Sequence, residues 1–280
     1  MLDKVKGFDL TYLLPMLAVP LASLGVNGLI GRDLVAEFGV KLDPLEWYGL
    51  STVQALGNYL PVPQAGAVAR GVYLKRVHLL PYSTYAATVV VTYVSSLALS
   101  GLVGLAGLIV LTALGRPSPW LLWLAFAGLS TAVFMFTPAA KLLPVPKRLA
   151  AFDTGLAQLR RHHVLARIIL NQAMMIALTT TGLWLACRAL PGGQGVTWLM
   201  ALMLGLMVMA SGVINVTPGN VGVEQGAAEM TARLLHVPPM LGFLASALFR
   251  LMAVLVVFVI GPIFWASLAR RPAAREAVQV

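Results

Sequence analysis

The chain has 280 residues, of which 59% are hydrophobic and only 11% charged, with a formal net charge of +10. Soluble globular domains carry about 25% charged residues, so water is excluded as its main solvent. Nucleic-acid binding is not indicated by the basic excess, because the lysines and arginines stand at the ends of apolar runs and are not massed with aromatics on one polar domain.

A bilayer core of ~30 Å needs roughly 20 apolar residues per helical span. Uncharged runs of that order cover Leu10–Ile30, Leu79–Leu114, Pro117–Ala140, Ile168–Cys187 and Leu251–Leu268, which predicts at least five full spans. The first run follows Lys4 and Lys6 as a signal peptide would. No small-x-small cleavage site precedes the polar stretch from Gly31, so a retained helix is expected. The loop Gly31–Glu46 sets Arg32 and Lys41 against Asp33, Glu37, Asp43 and Glu46 and carries no orientation signal.

Next comes a short apolar stretch, Leu45–Leu60, that breaks at Asn58-Tyr59-Leu60-Pro61 and Val62-Pro63-Gln64-Ala65-Gly66. It resumes as a more polar helix bearing Arg70, Lys75, Arg76 and His78, with Pro81 beyond. After the third run, the segment Lys141–Arg167 holds Lys141, Lys147, Arg148, Arg160, Arg161 and Arg167 against one acid, Asp153, and is expected in the cytoplasm. Its middle, Leu149–Leu165, has apolar residues near helical spacing and is expected to lie on the membrane surface. The adjacent His162 and His163 point to different sides of a helix, which suits headgroup neighbours better than metal ligands. Cys187 is the single cysteine and is read as an apolar wall residue. A second short stretch, Thr197–Ile214, breaks at Asn215-Val216-Thr217-Pro218 and Gly219-Asn220-Val221-Gly222 before a helix ending at Arg233-Leu234-Leu235-His236. The tail with Arg270, Arg271 and Arg275 is expected to be cytoplasmic.

The two breaks read as an internal duplication. Asn58 and Asn215, Pro61 and Pro218, and Pro81 and Pro238 are each 157 residues apart, and His78 and His236 are 158 apart. Backbone freed by proline and glycine at membrane depth must be buried in protein or line a watery cavity. Re-entrant hairpins are the expected geometry. With three full spans between equivalent points, the two repeats then have opposite orientation, as in transporters whose broken helices meet near the midplane. If the short stretches cross fully, the repeats are parallel. On the re-entrant reading the first hairpin is cytoplasmic, the second lies on the outer side and the N-terminus falls outside, against the sign of Lys4 and Lys6.

Few residues are candidates for chemistry. Between Asp153 and Glu276 the only acids are Glu224 and Glu229. Glu229 has a helix partner in Arg233, four residues later. Glu224 falls in the first turn after the Pro218-Gly219-Asn220 break, where a carboxylate can cap free amides and is favoured by the helix dipole. The functional alternative is a polar pocket of Glu224, Gln225 and the amides around Gly219 and Gly222, with Arg250 as counter-charge. In the first block, Arg70 after Gly66 can hold a phosphate through two hydrogen bonds, whereas Lys75 and Arg76 read as headgroup anchors. No HExxH, Walker loop, GxSxG elbow or paired acidic cluster occurs, so no catalytic residue, metal or cofactor is expected.

These residues resemble the lysylphosphatidylglycerol synthase transmembrane (flippase-like) family. The resemblance runs through Asn58-Tyr59-Leu60-Pro61 with Gly66 and Arg70, and most specifically through Thr217-Pro218-Gly219-Asn220-Val221-Gly222-Val223-Glu224, which is similar to the family's Pro-Gly-x-x-Gly-x-x-Glu element. It implies a polytopic bacterial or archaeal inner-membrane protein that binds or translocates lipids. In some members this domain is fused to a soluble aminoacyltransferase; here a stand-alone membrane domain is expected, because the chain ends soon after its last span. The family commonly has an acid after the first-block glycine and an arginine early in the next helix, where this chain has Ala67 and Tyr93.

The expected fold is an all-α polytopic membrane protein of about five full spans plus two re-entrant broken-helix hairpins in an inverted repeat. Repeat 1 covers about residues 10–114, a linker span and amphipathic helix about 117–163, and repeat 2 about 164–270. The expected function is a lipid translocase or lipid-binding transporter for an anionic phospholipid or polyprenyl phosphate. Its binding residues would be Asn58, Gly66, Arg70, Asn215, Pro218, Gly219, Asn220, Gly222, Glu224, Gln225 and Arg250. The alternatives are an intramembrane transferase with Glu224 as general base and a non-catalytic subunit of an envelope-synthesis complex.

Overall fold

A computed structural model of the chain describes residues 9–60, 62, 64–136, 161–213 and 217–271. Apolar side chains with few charges leave the backbone no water to bond, and helices satisfy every amide internally. All regular elements among the described residues are accordingly helical. The chain is a polytopic membrane protein. Among the described residues four helices are long and apolar enough to cross a bilayer: α1 (Leu13–Ala36, preceded by a 3₁₀ turn from Leu10), α4 (Tyr82–Ala113), α6 (His162–Ala189) and α9 (Pro239–Ala269). The run at Pro117–Ala140 forms the shorter helix α5 (Trp120–Ser130) and a 3₁₀ turn to Phe136, and its residues 137–140 lie outside the described residues. Most of the expected surface helix at Leu149–Leu165 also lies outside them, and α6 begins at His162.

Between the long helices stand two pairs of short ones. Helices α2 (Pro44–Gly57) and α3 (Ala65–His78) pack on each other, as do α7 (Trp198–Ser211) and α8 (Val223–Leu234). Fourteen residues rise only about 21 Å, less than a hydrocarbon core of ~30 Å. The helix order is therefore long, short, short, long, twice over: α1 to α4 and α6 to α9.

Backbone geometry repeats with the helices. α3 ends at Leu79 with φ 57° and α8 is followed by His236 with φ 58°, two non-glycine residues 157 apart in the left-handed conformation that terminates helices. The long helix after each pair starts at Tyr82 and Pro239, also 157 apart.

The chain divides into two compact units. Unit one comprises residues 1–23, 96–132 and 173–256, and holds α5, the α7/α8 pair and part of each long helix. Its core includes Leu108, Phe126, Leu183, Met203 and Leu206, and Gly104 admits the Phe126 ring where a Cβ would collide with it. Unit two comprises residues 24–95, 133–172 and 257–280 and holds the α2/α3 pair. Leu50, Leu74, Leu80, Tyr85 and Leu268 are among its core residues.

Candidate functional site

In unit one the site is built on the link between α7 and α8. Helix α7 stops after Ser211, and residues 214–216, including Asn215, lie outside the described residues. Pro218–Asn220 then form a 3₁₀ turn with Gly219 at φ 58°, Asn220 at φ 61° and Gly222 at φ 89°. Three positive φ values in five residues suit glycine and asparagine, the residue types that reach this region at least cost. The turn is closed by the Thr217 hydroxyl, which donates to the Val221 carbonyl at 2.8 Å, and by the Asn220 amide N–H, which donates to the Thr217 carbonyl at 2.8 Å.

This fold-back sets the polar side chains. Asn220 is buried and its Nδ2 donates to the Ser211 carbonyl at 3.2 Å, tying the turn to the end of α7. Gln225 is buried and accepts from the Gly222 amide at 2.7 Å, so it caps its own helix. Glu224 is left to face α9, where Arg250 Nη1 donates to its Oε2 at 2.7 Å, with side-chain exposures of 24% and 12%. Gly219, Asn220, Gly222, Glu224, Gln225 and Arg250 thus form one cluster: a helix N-terminus, a carboxylate and a guanidinium together.

Unit two gathers the other candidates differently. Asn58 follows α2, and Gly66 is where α3 crosses it: a Cβ on Gly66 would enter the Gln54 carbonyl, and one on Gly57 would lie 2.6 Å from the Gly66 Cα. The missing side chains let two backbones touch, as small residues do between membrane helices. Arg70, one turn on, is buried, with Nη1 donating to Gln54 Oε1 at 3.0 Å and its guanidinium filling the space above Gly31. Its Nε is buried without a hydrogen-bond partner among the described residues. Tyr93, on α4, donates to Gln64 Oε1 at 3.4 Å.

The motif residues on both links, Asn58, Gly66 and Arg70 on one and Thr217 to Glu224 on the other, sit within a single longer match. The family model described as the lysylphosphatidylglycerol synthase TM region matches residues 1–261. The chain belongs to this family. Membership gives the lysylphosphatidylglycerol synthase TM-region chain a connection to membrane lipids through the enzyme for which the family is named. No curated protein matches the chain.

Sequence reasoning overlooked one polar centre of this family member. Glu46 is buried, accepts from the Tyr73 hydroxyl at 2.7 Å and lies 3.1 Å from His78 Nε2. Its second oxygen accepts from the Asp43 amide, while Asp43 accepts from the Glu46 amide at 2.8 Å, a reciprocal capping box at the start of α2 with Pro44 in the first turn. The Asp43-Pro44-Leu45-Glu46 spelling is the signal that could have revealed the cap, but the distant Tyr73 and His78 have no local signature. No group of three or more His, Cys, Asp or Glu residues able to hold a metal occurs among the described residues.

Proposed function

We propose that this protein is a lipid translocase or lipid-binding transporter of the bacterial or archaeal cytoplasmic membrane, acting on lipids with an anionic or phosphate headgroup. The observation that carries the reading is the Glu224–Arg250 pair at 2.7 Å beside a broken-helix turn. Charges placed among apolar helices are costly and mark ligand or ion paths. An arginine attracts a phosphate, and the first-turn amides of α8, which have no intrahelical acceptor, add the positive end of a helix dipole. Glu224 and Asn220 Oδ1, a buried acceptor without a hydrogen-bond partner among the described residues, suit a hydroxyl or amine elsewhere on the headgroup. The pair itself is the gate: a phosphate that takes Arg250 releases Glu224.

The two short-helix pairs act as re-entrant hairpins in an inverted repeat. Their lengths support this, since fourteen residues in α2 and in α7 rise too little to cross a bilayer core of ~30 Å. The C-terminus is cytoplasmic on this reading, as Arg270, Arg271 and Arg275 require.

The test is reconstitution into vesicles with fluorescent phospholipids and polyprenyl phosphates. Unaltered lipid crossing faster than in empty vesicles, and slowed by Glu224→Gln and Arg250→Ala, is the expected result. A chemically altered product would replace the transporter by a transferase using Glu224 as base. If both substitutions leave transport and binding intact, the site is wrong.

A further inference from the structure

Unit two carries a groove of about 270 Å³ between α2, α3 and the last turns of α9. Leu50, Val53, Val72, Trp265 and Leu268 make it apolar, and among the described residues the one charged residue that lines it is Arg76. The Arg76 Nη2 donates to the carbonyls of Ala269 at 3.3 Å and Arg271 at 2.9 Å, which fixes the guanidinium against the C-terminal end of α9. Its Nε and Nη1 donate to no described residue. Lys75 precedes it on α3 and Arg270 follows Ala269, whereas the nearby acids are held elsewhere, Asp43 by Arg271 at 2.8 Å and Glu46 by the Tyr73 hydroxyl at 2.7 Å. The apolar wall is open: Val72 is 47% and Trp265 54% exposed.

An open apolar wall ending in a fixed, half-used guanidinium is complementary to one kind of molecule, an acyl chain attached to an anion. The volume lies below the ~300–1,000 Å³ that encloses a drug-sized ligand, so it suits a chain segment with the headgroup outside. We infer that this groove binds an anionic phospholipid, with one acyl chain along Val72, Trp265 and Leu268 and the phosphate at Arg76. The site is separate from the Glu224–Arg250 pair and does not rest on the transport reading.

The experiment uses the full chain in nanodiscs with the other five of its six tryptophans changed to phenylalanine. Trp265 fluorescence is quenched by phosphatidylglycerol or phosphatidylcholine brominated on the acyl chains. Phosphatidylglycerol should quench at about fivefold lower mole fraction, the preference that one basic residue gives at an anionic surface. Arg76→Gln should abolish that preference and Arg76→Lys should keep part of it. Val72→Phe, which fills the groove and leaves Arg76 in place, should abolish it too. Equal quenching by both lipids, or a preference that survives Arg76→Gln or Val72→Phe, overturns the inference. If the single-tryptophan chain does not fold, native mass spectrometry of the unsubstituted chain from mixed vesicles serves instead. Retained phosphatidylglycerol over phosphatidylcholine, lost in Arg76→Gln, supports the site, and equal retention overturns it. Failed lipid crossing with preserved quenching would sink the transport reading alone.

Discussion

Arg250 Nη1 donates to Glu224 Oε2 at 2.7 Å, and the residues 157 positions before these two are Ala67 and Tyr93. The two short-helix pairs thus share left-handed helix ends at 157-residue spacing, while among the described residues these equivalent positions hold an acid–base pair only in α8 and α9. In the other half Tyr93 meets Gln64, a neutral contact at 3.4 Å. At these equivalent positions only unit one holds a charged pair.

Breaking the pair on one side should cost more than removing both charges. Truncating one partner of a buried pair costs about 3–5 kcal/mol, and the 24% exposure of Glu224 reduces this for Arg250→Leu to about 2 kcal/mol. The double variant Glu224→Gln with Arg250→Met should melt near the parent temperature in detergent yet move no lipid. Thermal unfolding and the vesicle assay separate the two effects. A double variant that still moves lipid would make the pair purely structural.

Repeat symmetry can be tested by transplanting the pair. Ala67 is buried, so Ala67→Glu alone should destabilise by about 2 kcal/mol through an unpaired carboxylate. Adding Tyr93→Arg should recover at least half of that, seen as a coupling energy in a double-mutant cycle. Strictly additive effects would mean that the equivalence at these positions is one of sequence only.

Gly66→Ala places a methyl group into the Gln54 carbonyl. Helices α2 and α3 must then separate, and overpacking of this kind costs about 1–3 kcal/mol. Loss of α2/α3 protection in hydrogen exchange, with the α7/α8 pair unchanged, is the expected pattern. Gly226→Ala is the control, since a Cβ there meets nothing within 4 Å.

Acid should weaken the start of α2 through Asp43. Burial alone would raise its pKa, but the Glu46 amide and the Arg271 guanidinium outweigh it and hold the carboxyl below its ordinary value. A lowered folded-state pKa contributes stability above the ordinary carboxylate value of about 4, and that contribution is lost as pH falls through the lowered one. Between about pH 5 and about pH 3 the parent should therefore lose more thermal stability than Asp43→Asn, which keeps a capping oxygen without the titration. Equal losses would remove Asp43 from the account.

Much of the architecture was legible in the sequence because its signals are local. Apolar runs foretold α1, α4 and α6, and the Pro/Gly breaks foretold both links between short helices. The last run was read from Leu251, yet α9 starts at Pro239, because an arginine paired with Glu224 stays inside an apolar helix at little cost. The partners of Glu46 escaped notice, since Tyr73 and His78 are 27 and 32 residues away and are brought to it by the pairing of α2 with α3. Arg70 read as a free phosphate ligand, whereas the contacts of unit two bury it against Gln54 and Gly31.

The sequence by itself determined a membrane-helical chain and two broken-helix links whose motif positions stand 157 residues apart, because hydropathy, proline and glycine act within one or two helical turns. Only the tertiary structure decided which charges meet. Two glycines with no side chain to keep backbones apart close the α2/α3 pair over a buried arginine, and three positive φ values fold α8 back so that Glu224 faces Arg250. These contacts join residues far apart in the chain, and their energies depend on close approach and exclusion of water, which no run of neighbouring residues encodes.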